Sequence, residues 1–390
     1  MSPPPPPTTG IRLLLLLQAS LTVMASATIA PALPAIADHF ADIAQAAFLS
    51  RLLLTLPALL IAVCAFPAGW VVDRFGRRWP LLAGLALYAI AGASGLVLDS
   101  LPALLIGRAA LGLAVALVMT TTMTLVGDLL PPLEREHFMG RLAAFMSFGG
   151  VVFLTIGGLL AELGWRGPFA LYLLALPLIL RAARLPFVGG APPSIRRDGS
   201  MPLGLAGLVC VTALLHMVGF YVTPVQVPFL MLELGVTAPA FAGLAIATFT
   251  LASALCALAY RPILARLGHQ GVFALAFAVF AAGYLLVAAA PDASMALLGL
   301  ALAGVGNGIM IPNYATWLLA RTPASLRGRV SGIMTASFFL GQFLSPMATE
   351  PLVAAGGIAA AFLGVAIVSG GIAAGYLVGA WLRPAVGRLA

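Results

Sequence analysis

The sequence predicts an all-α membrane protein with 12 transmembrane helices in two pseudo-symmetric six-helix bundles, and three observations carry that prediction. Apolar residues make up 62% of the 390 positions and charged residues 8%, with a mean hydropathy of +1.09. A soluble domain carries about a quarter charged residues, so the solvent for most of this chain is lipid. Apolar runs long enough to cross about 30 Å of hydrocarbon, roughly 20 helical residues each, recur along the whole chain. The chain also repeats itself: Arg74-Phe75-Gly76-Arg77 returns as Arg266-Leu267-Gly268-His269, a shift of 192 residues. That shift also carries Pro131, Arg135 and Gly140 onto Pro323, Arg327 and Gly332, and Gly107 and Gly112 onto Gly299 and Gly304. Self-similarity at a fixed offset means two related halves, the plan transporters use to rock around a site at the bilayer midplane.

Taken in order, residues 1–12 are a proline-rich polar tail. The first span, 13–36, contains Ala25-Ser26-Ala27, which fits a signal-peptidase site, but the apolar run continues well past a normal leader core to Ile36 and is expected to stay as a helix. Spans at 47–72 and 79–98 flank a charged hinge, Gly69 to Arg78. The fourth, 101–126, places Leu104, Arg108, Gly112 and Ala116 on one face at four-residue spacing. Spans at 139–163 and 167–185 complete an N-terminal bundle, 13–185. A polar linker, 186–201, holds Pro192-Pro193 and Arg196-Arg197. The C-terminal bundle, 202–382, follows with spans at 202–231, 238–260, 270–290, 293–319, 328–350 and 357–382, then a tail, 383–390. Helices suit these runs because lipid offers no partner to an unpaired backbone group and the alternating pattern of barrel strands is absent.

All 20 basic residues are arginine, giving a net charge of +8. They lie scattered in short loops rather than in one patch, which argues against a nucleic-acid partner and for a topology signal. Arg74, Arg77, Arg78, Arg135, Arg141, Arg181, Arg184, Arg261, Arg266, Arg321, Arg327 and Arg329 share one side with Arg12 and both termini, whereas Arg51 and Arg166 lie on the other. Both termini are therefore expected in the cytoplasm, with the chain in a bacterial inner membrane. Cys64, Cys210 and Cys256 sit inside apolar runs without metal-ligand spacing and read as packing residues. No nucleophile–base pair or metal cluster supports an enzyme.

The hinge reads Gly69-Trp70-Val71-Val72-Asp73-Arg74-Phe75-Gly76-Arg77-Arg78. This Gly-x-x-x-Asp-Arg-x-Gly-Arg-Arg pattern resembles the loop between the second and third helices of major facilitator superfamily transporters, and the likeness extends over nearly the whole chain. The resemblance implies that Gly69, Asp73, Arg74, Gly76, Arg77 and Arg78 form a conformational switch, the acid and arginines holding one state by contacts near the eleventh helix. The second copy has Ala265 where the first has Asp73, so the switch is complete only in the first half. The fourth-span stripe resembles a family motif whose arginine is linked to coupling. Arg108 two turns inside a helix costs roughly 2.5–3.5 kcal/mol on insertion scales, unless it snorkels to the interface. In the fifth span, drug-exporting branches carry Gly-Pro ahead of Gly-Gly; here Gly157-Gly158 is present but Phe153-Leu154 replaces Gly-Pro, while Ser345-Pro346 stands at the repeat-related place and suggests a kink there.

All acids lie in loops or near span ends, with Asp38, Asp42, Glu233 and Glu350 nearest the membrane, so His216 in the seventh span is the one core group suited to titrate near neutral pH. Asn307 and Gln342 are expected beside it, and Gly304-Val305-Gly306-Asn307-Gly308 through Pro312-Asn313-Tyr314 reads as a locally loosened helix beside a cavity. Gln18, Thr22 and Ser26 of span one, Thr120 of span four, and Asn307, Asn313 and Gln342 are the candidate cavity residues, although such hydroxyls often bond back to their own helix. The compact plan, short loops and hinge look most like the drug:proton antiporter branch. The expectation is proton-coupled export of a small amphipathic compound, with a proton gradient and no cofactor as energy source, by a monomer in the bilayer. Uptake or uniport of a small polar or anionic solute is the alternative.

Overall fold

A computed structural model describes residues 9–184, 203–323 and 326–381. The expected linker, the C-terminal tail and most of the N-terminal tail lie outside these residues. Every regular element described is helical. Ten helices are long and apolar enough to cross a membrane. The last of them, Arg327–Trp381, leaves helical dihedrals at Gly356 and Gly357 and so makes two spans, 327–355 and 358–381. The remaining span, Gly167–Ala183, opens as a 3-10 helix over Gly167–Leu174 before turning α-helical. At about 2.0 Å per 3-10 residue and 1.5 Å per α residue, this short segment still reaches about 30 Å.

Two compact units emerge: Met1–Ile195 with Ala238–Leu244, and Arg196–Thr237 with Ala245–Ala390. In the first, the spans are Thr9–His39 (one), Ala46–Phe75 (two), Arg78–Leu96 (three), Leu101–Leu129 (four), Pro132–Glu162 (five) and Gly167–Ala183 (six). Span one is interrupted: its α-helix ends at Ala27, and Pro31 and Pro34 enter a 3-10 turn and a short terminal helix. In the second unit the spans are Leu203–Glu233 (seven), Pro239–Ala257 (eight, whose first residues group with the first unit), Tyr260–Ala288 (nine), Ala293–Ala320 (ten), and 327–355 and 358–381 (eleven and twelve). Span nine begins earlier than its apolar run because Tyr260–Leu267 is already helical before a break at Gly268.

The 192-residue repeat is visible in the backbone. Gly76 sits at φ 76°, ψ −179° and Gly268 at φ 64°, ψ 173°, a region that only glycine occupies readily. Arg135 donates to the Leu130 carbonyl at 3.2 Å and Arg327 to the Thr322 carbonyl at 3.2 Å, the same bond 192 residues on. A Cβ at Gly112 would overlap the Pro57 carbonyl and one at Gly304 the Phe249 carbonyl, again equivalent neighbours.

One local expectation is corrected. Span ten is one continuous helix, not a loosened one. Its glycines pack: a Cβ at Gly304, Gly306 or Gly308 would strike the carbonyls of Phe249, Ala276 or Ser253, so spans eight and nine press against opposite faces of its backbone. Ser345-Pro346 lies within span eleven, whose dihedrals stay helical until Gly356. Ser345 donates to the Val218 carbonyl at 2.8 Å and fastens span eleven to span seven.

Candidate functional site

The polar interior of the first unit is organised by prolines. Pro57 has no N–H, so the carbonyl of Leu53, four residues back in span two, loses its helical partner. The α-helix of span one ends at Ala27, which leaves the Ala25 carbonyl among the last four, also without an intrahelical donor. Arg108 meets both. Its Nε donates to Leu53 O at 2.7 Å, one Nη donates to Ala25 O, and the other donates to the Tyr172 hydroxyl at 2.8 Å. Tyr172 in turn donates to Ala25 O at 2.9 Å and lies under the guanidinium at 5.5 Å.

Arg108 is 1% exposed and does not snorkel to an interface. Its charge sits at the C-terminal end of a broken helix, where the macrodipole favours a cation. Hydrogen bonds from a charged donor are worth about 1.5–3 kcal/mol each, enough to offset a buried guanidinium. Gly112, one turn on, lets span four approach the Pro57 backbone, and Gly92 leaves room for the Tyr172 ring. In the second unit the positions equivalent to Pro57 and Arg108 are Phe249 and Leu300, 1% and 0% exposed. Where the proline is lost, so is the arginine.

Gln18 and Thr122 form a second polar group between spans one and four. The Thr122 hydroxyl donates to Gln18 Oε1 at 3.2 Å, and Gln18 Nε2 is buried with no hydrogen-bond partner. Ser50 and Thr55 of span two also carry buried hydroxyls without partners. Thr22 and Ser26 are half-buried, and the Ser26 hydroxyl reaches Val23 O at 3.4 Å. Thr120 is half-buried, and its carbonyl accepts from Thr124 at 2.9 Å within the helix.

In the second unit His216 is 1% exposed, and its Nε2 donates to Asn307 Oδ1 at 2.9 Å, while Asn307 Nδ2 donates to Ser253 Oγ at 2.7 Å. Tyr314 stacks on the imidazole at 5.7 Å, and Phe277 and Phe280 present their edges. His216 Nδ1 is buried with no partner. Gln342 is half-buried and is not hydrogen-bonded to this pair among the described residues. Asn313 is not hydrogen-bonded to this pair either. It faces the second hinge, where its Oδ1 accepts from His269 Nδ1 at 2.8 Å and from Tyr260 at 3.2 Å while its Nδ2 donates to His269 O at 2.9 Å.

In the first hinge, Arg77 is 8% exposed and pairs with Asp128 at the end of span four at 2.9 Å. Asp73 and Arg74 are exposed and make no ion pair among the described residues; Arg78 reaches the Ala183 carbonyl at 3.4 Å. A Cβ at Gly69 would meet nothing within 4 Å. The acid that pairs with Arg77 is thus Asp128, which sequence reading passed over as a span-end charge. The 192-residue shift pairs Arg77 with His269 and Asp128 with Ala320, so the second half has no acid at the place of Asp128, and His269 is hydrogen-bonded to Asn313. Gln226 of span seven was missed as well: it is 0% exposed, and neither side-chain polar atom has a partner. Its neighbours Pro224 and Pro228 were the available signal, since each removes a helical N–H from this part of the span.

Comparisons agree with this architecture. An MFS-type efflux transporter of Pyricularia grisea is 28% identical over 165 residues, covering 40% of this chain and 27% of that protein. The arabinose-proton symporter of Escherichia coli (strain K12) is 27% identical over 172 residues, 44% of this chain and 35% of the relative. The matched stretches thus span between a quarter and about a third of these relatives' own length. The crystal structure of a D-xylose-proton symporter superposes with a TM-score of 0.76 at 17% identity, covering 96% of this chain and 97% of that one, which establishes the shared fold. The family model described as Major Facilitator Superfamily matches residues 15–200 and 208–388. With that match over both halves, the repeated hinge geometry and the all-helical twelve-span plan, the chain belongs to the Major Facilitator Superfamily of membrane transporters.

Proposed function

We propose that this transporter works by alternating access as a secondary active carrier, coupling proton movement to export of a small amphipathic compound. The observation that carries the reading is that each unit holds buried polar atoms without partners among the described residues: Gln18 Nε2 in the first, and both side-chain atoms of Gln226 and His216 Nδ1 in the second. A buried unpaired donor or acceptor costs about 1–3 kcal/mol, and a solute that pairs with it recovers that cost. The rings packed around His216 are aromatic, which suits a compound with an apolar body and a few polar groups. The efflux transporter among the relatives supports the export direction.

His216 is the coupling candidate, because a ring that holds Asn307 through one nitrogen leaves the other free to take a proton when the surrounding helices rearrange. Arg108 is a positioning residue that keeps spans one, two and four in register. The arginine-rich side is taken as cytoplasmic, at a bacterial inner membrane.

A second reading is uptake or uniport of a polar or anionic solute. The same unpaired amides favour it, as do the sugar-proton symporters among the relatives and solved structures. Reconstitution in proteoliposomes separates the two. Under an imposed pH gradient, the export reading expects an amphipathic cationic dye to accumulate on the acidic side and to reverse when the gradient is reversed. A pentose accumulating on the alkaline side, with the dye unmoved, would overturn it in favour of symport.

A further inference from the structure

We propose that a pocket in the first unit holds the hydrocarbon chain of an anionic amphiphile, with Arg181 taking its headgroup. The pocket has a volume of about 330 Å³ and lies among spans one, five and six. Its floor is the buried apolar surface of Leu14, Leu21, Met24 and Leu178. Its mouth is bordered by Leu13 and Leu174, 45% and 48% exposed. The rim is thus apolar, as the entrance for a hydrocarbon chain must be. Ser20 also lines the wall, but its hydroxyl is turned onto Leu17 O at 2.7 Å and presents nothing polar to an occupant.

The length and the charge point to the same ligand. From Leu13 to Met24 the wall of span one rises about 16 Å at 1.5 Å per residue, close to one leaflet of a core about 30 Å thick. At the arginine-rich end stands Arg181, in the last turn of its helix, exposed and with no ion pair among the described residues. Arg12, which adjoins Leu13, is by contrast paired with Glu134 at 2.8 Å. A polar solute would leave its groups unpaired against these walls. A neutral amphiphile would leave the guanidinium without an anion. A chain bearing an anionic headgroup satisfies both ends. A resident leaflet lipid and a transported amphiphile share this chemistry, and the site stands whether or not the proposed export does.

The test is native mass spectrometry of the full-length protein titrated with dioleoyl phosphatidylglycerol and, separately, dioleoyl phosphatidylcholine. One cation near an anionic headgroup is worth about fivefold in affinity, so the wild type is expected to hold one phosphatidylglycerol about fivefold more tightly than phosphatidylcholine. Arg181→Gln should equalise the two lipids while keeping the chain bound, and Ser20→Phe, which fills the pocket, should displace both. Equal affinities in the wild type, or a preference that survives Arg181→Gln, overturns the proposal. A flux arm with dodecyl phosphate in proteoliposomes identifies the source: movement across the bilayer marks the occupant as cargo, and binding without movement marks it as a resident lipid.

Discussion

The pairing of Pro57 with Arg108 makes a prediction that can be worked through quantitatively. Arg108→Leu copies the Leu300 of the second half and removes three charge-assisted donors. Ala25 O keeps Tyr172 as a donor, so the carbonyl left without one is Leu53 O. An unsatisfied buried carbonyl costs about 1–3 kcal/mol, and that is the expected destabilisation beyond any loss of packing. Pro57→Ala restores the N–H that Leu53 O lacks. In the Arg108→Leu background it should therefore recover roughly 1 kcal/mol or more, whereas in the wild type it should be close to neutral. The double-mutant cycle is read by equilibrium unfolding of the purified protein in detergent. Additive effects, with no recovery in the double variant, would refute the claim that Arg108 serves the carbonyl orphaned by Pro57. Arg108→Lys sharpens the test, because a single ammonium cannot span Leu53 O, Ala25 O and Tyr172 together and should fall nearer to leucine than to arginine.

Four further outcomes are expected. Gly76→Ala and Gly268→Ala should each cost about 1–3 kcal/mol in the same unfolding assay, because a Cβ meets open space at both positions but the dihedrals exclude one; a neutral alanine at either would contradict the backbone reading. Asp128→Leu should destabilise by roughly 1–3 kcal/mol, since it strands the largely buried Arg77, and Asp128→Asn by less; equal effects would argue against the ion pair. The His39 ring and the Arg166 guanidinium hold the Asp99 carboxyl below the usual carboxylate range. That contribution to stability is fully present above about pH 4 and is lost as pH falls through the lowered pKa, so Asp99→Asn should flatten the acid limb of the melting-temperature profile. His216→Gln should keep the Asn307 contact and thermal stability close to wild type while abolishing the pH dependence of transport; retained pH dependence would dismiss His216 as the coupling group.

The spans and the repeat were legible because lipid imposes them: runs of apolar residues and a fixed offset survive in any reading of the sequence. The offset was informative enough to pair Gly76 with Gly268 and the Arg135 bond with that of Arg327. The environment of Arg108 was not legible, because its partners are mainly backbone carbonyls, which residue identities do not announce. Half of it was nonetheless recoverable: a proline in a helix names the carbonyl four residues back, and Pro57 names Leu53. The glycines of span ten were misread for a related reason. Glycine density indicates either a weak helix or close neighbours, and only the carbonyls of Phe249, Ala276 and Ser253 decide between them. The surroundings of Asn313 and Gln342 were not legible because depth along a helix was read without its azimuth. Asn313 turns to the second hinge, and Gln342 stays apart from the His216–Asn307 pair.

The most direct test of proton-coupled export is lumenal pH, followed with a trapped fluorescent indicator while substrate gradients are imposed on proteoliposomes containing the wild type and His216→Gln. The account predicts proton movement opposite to the substrate in the wild type, and substrate movement without proton movement in the variant. Protons moving in the same direction as the substrate, or unchanged proton movement in His216→Gln, would contradict it.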